Sequence, residues 1–495
     1  MKNKIWLRII LFTLLVSTLL SLFSCAKKEE VEDTDDENVV TTNVVDNEVD
    51  YNPYIEAKDY GGREFVIFSM DMTGSPDYEE FGVDTYTSHT INSAVYERNM
   101  YLEDKYNIDI TVNYEAKTSM ASTVYRLHTS QAVNFDVINA TLDHIINMAR
   151  NGCLMQIKDI PHINTDKPYW NSKIIDSGTI GNRSYLISGD ANIWALHSTA
   201  AVMFNSNMIA EKKIANPYEL VANNEWTFEN FKKMSAQAAA ELNGDGKYDE
   251  NDCYGCVSTY AAVETMFTGM GGVLVSKDAN DQMVMNYKSA RNNDIIMNII
   301  GYWKNVQEAL LINRWPAYTS PKNMNMMADV FNDGHALFVT ELLYQLPTLV
   351  ENNFTVGIVP APKFDADQEN YASFVHIAHA TGLGIPLLCE DSDMVGRVLE
   401  DMAWESMSTV RYAYYDVNLK SRRAQDNESS EMLDIIYANT YVDAGLLYGG
   451  AGLQIGQTIR GLVYNSATDI SSSIEIAYNH DKAVIDELLE KYFQT

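Results

Sequence analysis

Two short apolar runs, Ala336–Val339 and Phe354–Val359, lie inside the stretch Phe331–Lys363 and constrain this chain more than any other feature. The turn cluster Asn332, Asp333 and Gly334 precedes the first run, and Pro360 and Pro362 end the second. Each run is too short for a helix and too continuous for a strand with one wet face. Both therefore read as buried strands of an α/β sheet. Between them a helical-looking segment opens with Glu341, Tyr344 and Gln345 at a strand-to-helix junction. Open α/β sheets bind ligands at that edge.

The N-terminal half carries the same alternation. Strand Glu64–Ser69, helix Ile91–Tyr106 and strand Ile108–Asn113 make a βαβ opening, with Ile91, Val95, Leu102 and Tyr106 on one helix face. Helix Ser119–Gln131, strand Phe135–Asn139 and a helix from Thr141 to Arg150 continue it. Gly181-Asn182 turns a hairpin within Thr179–Ile187, Thr227 is placed to cap a helix bearing Phe231, Met234 and Ala238, and a helix is expected over Asp294–Leu310. The 495 residues are enough for two domains with separate cores.

The chain's address is written in its first residues. Lys2, Lys4 and Arg8 precede the apolar run Ile9–Leu20 and the small-residue stretch ending at Cys25, the order of a secretory signal peptide over 1–24. The run is short for a membrane span. Leu22, Ser24 and Cys25 resemble the lipobox of bacterial lipoproteins, although Phe23 is bulkier than usual there; the resemblance makes Cys25 the lipidation site. Residues 25–58 then read as a disordered acidic tether, too poor in apolar surface to offset the entropy of ordering. Formal net charge is −32, and loss of the three leader bases deepens it. Such a field excludes nucleic acid as a partner and leaves the membrane approachable only through a lipid anchor. Of the remaining cysteines, Cys153, Cys253, Cys256 and Cys389, the middle pair has redox or zinc spacing without the surrounding context. A local disulfide or two idle thiols is expected there.

Scattered phrases give the chain a family likeness. Phe331–Phe338 has the pattern F-x-x-G-x-A-x-F, Val202–Ser206 reads VMFNS, and Asn216–Leu220 is followed by Trp226-Thr227. With Gly396…Leu399-Glu400, Ala413–Lys420 and Met432–Ile436, these resemble the extracellular solute-binding proteins (family 1-like, sugar type) of bacterial ABC importers. The resemblance implies a two-lobe, type II periplasmic-binding-protein-like α/β fold with a ligand cleft between lobes. The expected first lobe is 59–197 and 340–386, and the second is 198–339 and 387–495. It further implies a monomer on the extracellular face of the cell membrane that hands a small solute to permease subunits. The ligand contacts it implies are Asp71 after the first strand, Asn139 and Thr141 after the third, Trp194 and Ser198 on the first crossing, Thr340, Glu341 and Tyr344 on the return, and Tyr260 from the second lobe.

Composition points the same way for the ligand. The chain has 30 Tyr and 7 Trp, flat rings with polar tips suited to a neutral, hydroxyl-rich molecule such as a sugar or oligosaccharide. No nucleophile elbow, P-loop or H-E-x-x-H is present, and catalysis is not expected. A surface-anchored carbohydrate-active enzyme is the alternative; it requires two carboxylates converging at about 5–10 Å. His376 and His379 sit on an extended stretch, where their separation sends them to opposite faces. One candidate metal loop stands out. Glu241, Asn243, Asp245, Lys247 (through its carbonyl), Asp249 and Asp252, with Gly246 at the turn, have the oxygen spacing of a structural calcium loop of the EF-hand or dockerin type.

Overall fold

The computed structural model describes residues 50–72, 78–244, 246, 248, 252–259, 261–305, 309–311, 322–349 and 353–493. The expected leader and Cys25 lie outside them. Residues 51–58, which the expected tether included, belong instead to the compact unit. The compact unit begins at Tyr51, Ile55 packs on a core cluster, and Lys58 meets Asp393 at 2.8 Å.

Two principal sheets form, and each places its carboxyl-terminal strand ends toward the segments that join them. In the first, β1 (Arg63–Asp71), β2 (Ile108–Ala116) and β3 (Val137–Thr141) run parallel. In the second, β4 (Ala200–Asn205) lies among β5 (Tyr254–Ser258), β8 (Ala309–Leu311), β9 (Ala336–Leu342) and β10 (Val356–Val359), in the order β10-β4-β9-β5-β8. The hairpin β6 (Val275–Lys277) and β7 (Met283–Met285) stands apart. The pair β11 (Ser373–Phe374) and β13 (Thr440–Tyr441) forms a short parallel ladder between the two, while β12 (Thr381–Gly384) closes the first sheet beside β3.

The antiparallel strands mark the crossings. A chain entering a sheet from its carboxyl edge has to run against the strands that end there. Accordingly β4, arriving from the first sheet, is antiparallel to β9 and β10. By the same logic β12, arriving from the second sheet, is antiparallel to β3. The crossing segments are tied to one another: Thr199 bridges Val375, His376 N–H donates to the Ser198 carbonyl at 2.9 Å, and Leu343 N–H donates to Thr199.

These ladders revise the expected lobe boundaries. Residues 340–359 belong with the second sheet, because β9 pairs Ala200↔Leu342 through Phe204↔Phe338 and β10 pairs Val356↔Asn205. The return occurs at β11 and β12. Residues 392–408, assigned above to the second lobe, form a helix whose Met394, Val395, Val398, Leu399 and Met402 pack with Phe65 and Ile67 of β1. Gly396 permits this approach: a Cβ there would meet the Pro161 carbonyl oxygen at 1.8 Å. The C-terminal tail touches both sheets' helices. Asn147 donates to the Gly450 carbonyl at 2.9 Å, and the Ile455–Tyr464 helix packs on Ala290–Lys304.

Local signals resolve as expected in several places. Ile91, Val95, Leu102 and Tyr106 are fully buried. Gly181 and Asn182 both take positive φ in the turn that bridges Ile180 and Arg183, and the Thr227 side chain caps Asn230 N–H. The helix expected over Asp294–Leu310 is displaced. It spans Ala290–Lys304 because Ser289 caps it four residues earlier, and Ala309–Leu311 is a strand. Cys253 and Cys256 are buried free thiols, and burial pushes Cys256 up to about 12.

Candidate ligand-binding cleft

The first crossing is organised by one buried carboxylate. Glu80 accepts from Trp194 N–H at 2.8 Å, Thr381 Oγ1 at 2.7 Å and Asn139 Nδ2 at 3.0 Å. Burial pushes its pKa up to about 7 against these three donors. The Arg98 guanidinium, itself buried, donates to the Glu80 carbonyl at 2.8 Å. Glu80 thus joins β3, β12, the first crossing and the segment before the 90–106 helix. Asn139, expected to touch ligand, is spent on this clamp; its Nδ2 also donates to Ser69 Oγ at 3.1 Å.

The short Ile193–His197 helix sets Trp194 and His197 three residues apart, hence on one side. From there a wall of rings extends across the end of β9 to the return crossing. The Trp194 and His197 centroids are 5.3 Å apart and those of Trp194 and Tyr344 are 6.1 Å apart. Tyr344 stacks on His379 at 5.6 Å, and His379 meets His376 edge-on at 4.8 Å. The two histidines do not diverge as expected. Residues 377–379 turn, with His379 N–H donating to the His376 carbonyl at 3.0 Å, so the rings come together. Burial holds His197 down at about 3 and His379 at about 4, with Lys117 adding to the latter; His376 lies well below the usual imidazole range, also through burial. All three are neutral rings at pH 7. His197 is closed in further by the Tyr78 hydroxyl. Tyr344 and His379 remain half-exposed.

Beside the wall lies a cavity of about 350 Å³ lined by Lys117, Asp143, Glu264, His376, His379 and Arg460. Lys117 Nζ donates to the Ala378 carbonyl at 2.5 Å. Burial opposes ionisation of Asp143, yet hydrogen bonds from His144 and Thr141 hold it below its ordinary value. Glu264 is 4 % exposed and pairs through Oε1 with Arg460. Its Oε2 is buried and has no partner among the described residues. Burial raises the Glu264 pKa, with Arg460 pulling against it.

The remaining expected contacts divide. Ser198 Oγ is buried without a partner among the described residues. Glu341 is 2 % exposed and accepts from Thr259 Oγ1 at 2.8 Å and Leu342 N–H at 3.0 Å, so much of its capacity is used within the sheet. Thr340 is buried in β9 and its carbonyl accepts from Ser258. Thr141 is buried and donates to Asp143 at 2.6 Å. Asp71 ends β1, half-buried, opposite Ala116. Tyr260 lies outside the described residues. Trp194, Ser198, Glu341 and Tyr344 are therefore gathered at the crossings, whereas Asn139, Thr141 and Thr340 belong to the frame. Lys117 and Asp143 were missed, although the strand-end rule applied to β2 and β3 reaches both. Glu264 and Arg460 come from helices nearly 200 positions apart, and no local pattern links them.

Of the candidate calcium loop, Asp245, Lys247 and Asp249 lie outside the described residues. At its ends, Ala240 bridges Cys253, Gly244 N–H donates to Glu241 at 2.6 Å, and Leu242 N–H donates to Asp252 at 2.8 Å. Among the described residues no group of three or more acidic, His or Cys side chains forms a metal site.

No protein-family model and no curated protein sequence matches the chain. Solved structures do match in fold. The maltose-binding periplasmic protein of Listeria monocytogenes, in complex with maltose, is 13% identical with TM-score 0.56, covering 87% of this chain and 99% of its own. The cyclic alpha-maltosyl-1,6-maltose binding protein of Arthrobacter globiformis is 13% identical with TM-score 0.56, covering 86% of this chain and 99% of its own. An ABC substrate-binding protein of L. monocytogenes, in complex with cycloalternan, is 12% identical with TM-score 0.52 over 87% and 99%. The chain has the two-lobe α/β fold of these substrate-binding proteins.

Proposed function

We propose that this chain is a lipid-anchored, extracellular solute-binding protein that presents a sugar or oligosaccharide to the permease of an ABC importer. One observation carries the ligand class. Ring surface from the half-exposed Tyr344 and His379, backed by the buried Trp194, lies beside a cavity whose buried Glu264 oxygen makes no hydrogen bond among the described residues. Rings stack on the faces of a pyranose, and a spare carboxylate oxygen accepts from its hydroxyls. Neutral imidazoles add donors and acceptors without the charge that would select an anion. The fold neighbours named for maltose, cycloalternan and cyclic alpha-maltosyl-1,6-maltose support the same class.

A ligand held by both sheets stabilises the closed arrangement, because it makes contacts there that an open arrangement does not offer. The permease would read that closure; the chain itself would act as a monomer. Anchoring rests on Cys25 and its leader, and no helix of the described residues is long and apolar enough to cross a membrane. The 241–252 loop is proposed to take a structural calcium ion, with Glu241, Asn243, Asp245, Asp249 and Asp252 supplying side-chain oxygens and Lys247 its carbonyl.

Thermal melting of the purified chain against maltose, longer glucans, other sugars, peptides and amino acids tests the reading. A sugar-specific rise in midpoint, with the sugar recovered unchanged, is expected. No rise with any sugar refutes the ligand class, and consumption of a glycan favours the carbohydrate-active enzyme. Chelation that lowers the midpoint supports the calcium loop; palmitate labelling lost in Cys25→Ser supports the anchor.

A further inference from the structure

The helix Ile193–His197 has a second side. Trp194 and His197 face the ring wall, whereas Ala195 and Leu196, with Thr199, line a separate chamber of about 300 Å³ behind the crossing. Three polar groups there lack full partners. Asp190 is 9 % exposed, and its carboxylate meets the Arg411 guanidinium only at 3.4 Å, beyond the usual range for a charge-assisted bond. Burial pushes Asp190 up to about 7, with Arg411 pulling back. Arg411 is 41 % exposed in its side chain. Thr199 Oγ1 is buried with no partner among the described residues. Tyr415 and Tyr437, edge-to-face at 4.7 Å, complete the lining.

We propose that this rear chamber is a second small-molecule site, taking a compact amino-acid-type zwitterion with its ammonium on Asp190 and its carboxylate on Arg411. The charge pattern selects this class. A simple anion would face Asp190 and a simple cation would face Arg411, whereas a molecule carrying both charges completes each group. Lys173, also on the lining, adds positive charge that favours the carboxylate end, its Nζ bound to the Ala438 carbonyl at 2.5 Å. Thr199 offers its hydroxyl to either end, and the tyrosines accept a short side chain.

The site is also placed to act on the front cleft. Tyr437 donates to the Leu196 carbonyl at 3.1 Å, and its helix, Asn427–Ala438, packs on β10 of the second sheet. The Asp190 N–H, by contrast, donates to Tyr169, which belongs to the core of the first sheet. Occupancy therefore bears on the segment that joins the sheets, and any effect on front-site affinity is reciprocal.

Calorimetric titration of the purified full chain with glycine, alanine, serine and glutamine tests the proposal, with acetate, ethylamine, glycerol and maltose as comparison ligands. One amino acid is expected to bind one-to-one with Kd of about 1 mM or tighter. Asp190→Asn and Arg411→Gln should each weaken it about tenfold or more, and Thr199→Val, which preserves shape, should weaken it less. Tyr344→Ala should leave this binding unchanged, separating it from the front cleft whether or not sugars bind there. The proposal falls if no amino acid binds at about 10 mM, or if acetate or ethylamine alone binds as well. It falls equally if binding survives both Asp190→Asn and Arg411→Gln, or is lost in Tyr344→Ala while those two variants keep it.

Discussion

Two buried glutamates near the crossings show how alike groups come to do different work. Glu80 and Glu264 are 5 % and 4 % exposed, and burial raises both pKa values. Glu80 receives three donors from three separate segments. Glu264 receives one guanidinium, and its second oxygen lines a cavity without a partner among the described residues. A buried carboxylate satisfied by its own chain is framework. One left partly unsatisfied beside open volume has capacity for something the chain does not contain.

Removing Glu80 should therefore damage the protein most. Glu80→Ala leaves three buried donors without their acceptor, while Arg98 keeps its bond to the residue-80 carbonyl, and denaturant unfolding is expected to show a loss of about 3–5 kcal/mol. An unfolding midpoint close to the parent's would break the contrast. Next comes the ring wall: Tyr344→Ala should weaken sugar binding by about 2 kcal/mol, roughly thirtyfold in Kd, as truncation of a central aromatic contact does. Calorimetry of the parent's best sugar reads this directly.

Glu264→Gln keeps the shape and the cavity. It should cost about 1 kcal/mol of sugar affinity while changing stability far less than Glu80→Ala does. Equal losses of stability in the two variants would erase the distinction. The smallest effect is the pH response of the clamp. Glu80 has an ordinary value of 4.5 and a folded value of about 7, so the native state holds a proton that the unfolded chain has released. Stability from this group is full below 4.5 and is lost as pH rises through about 7. Melting of parent and Glu80→Gln across that window should show a falling midpoint that the variant lacks in part.

Signals confined to a few neighbouring residues were legible. The Gly181-Asn182 turn, the Thr227 cap and the buried stripe of the 90–106 helix each depend on contacts within one element. Boundaries failed where a local signal had a competitor: Ser289 starts its helix before Asp294, and the turn at 377–379 folds back two histidines that an extended chain would separate. The lobe assignment failed for a different reason. An apolar run announces a buried strand without saying which sheet will bury it, and only the ladders of β9 and β10 with β4 decide that.

The sequence by itself therefore determined the classes of element, the strand–helix alternation of an α/β fold, and the strand-end position of Tyr344. These follow from period, turn chemistry and apolar run length, all properties of adjacent residues. Tertiary structure alone decided that Asn139 serves Glu80, that Arg460 reaches Glu264, and that Asp190 faces Arg411 behind the first crossing. Those pairings join positions far apart along the chain. Their energies come from desolvation and geometry, which exist only once the sheets and crossings have enclosed them.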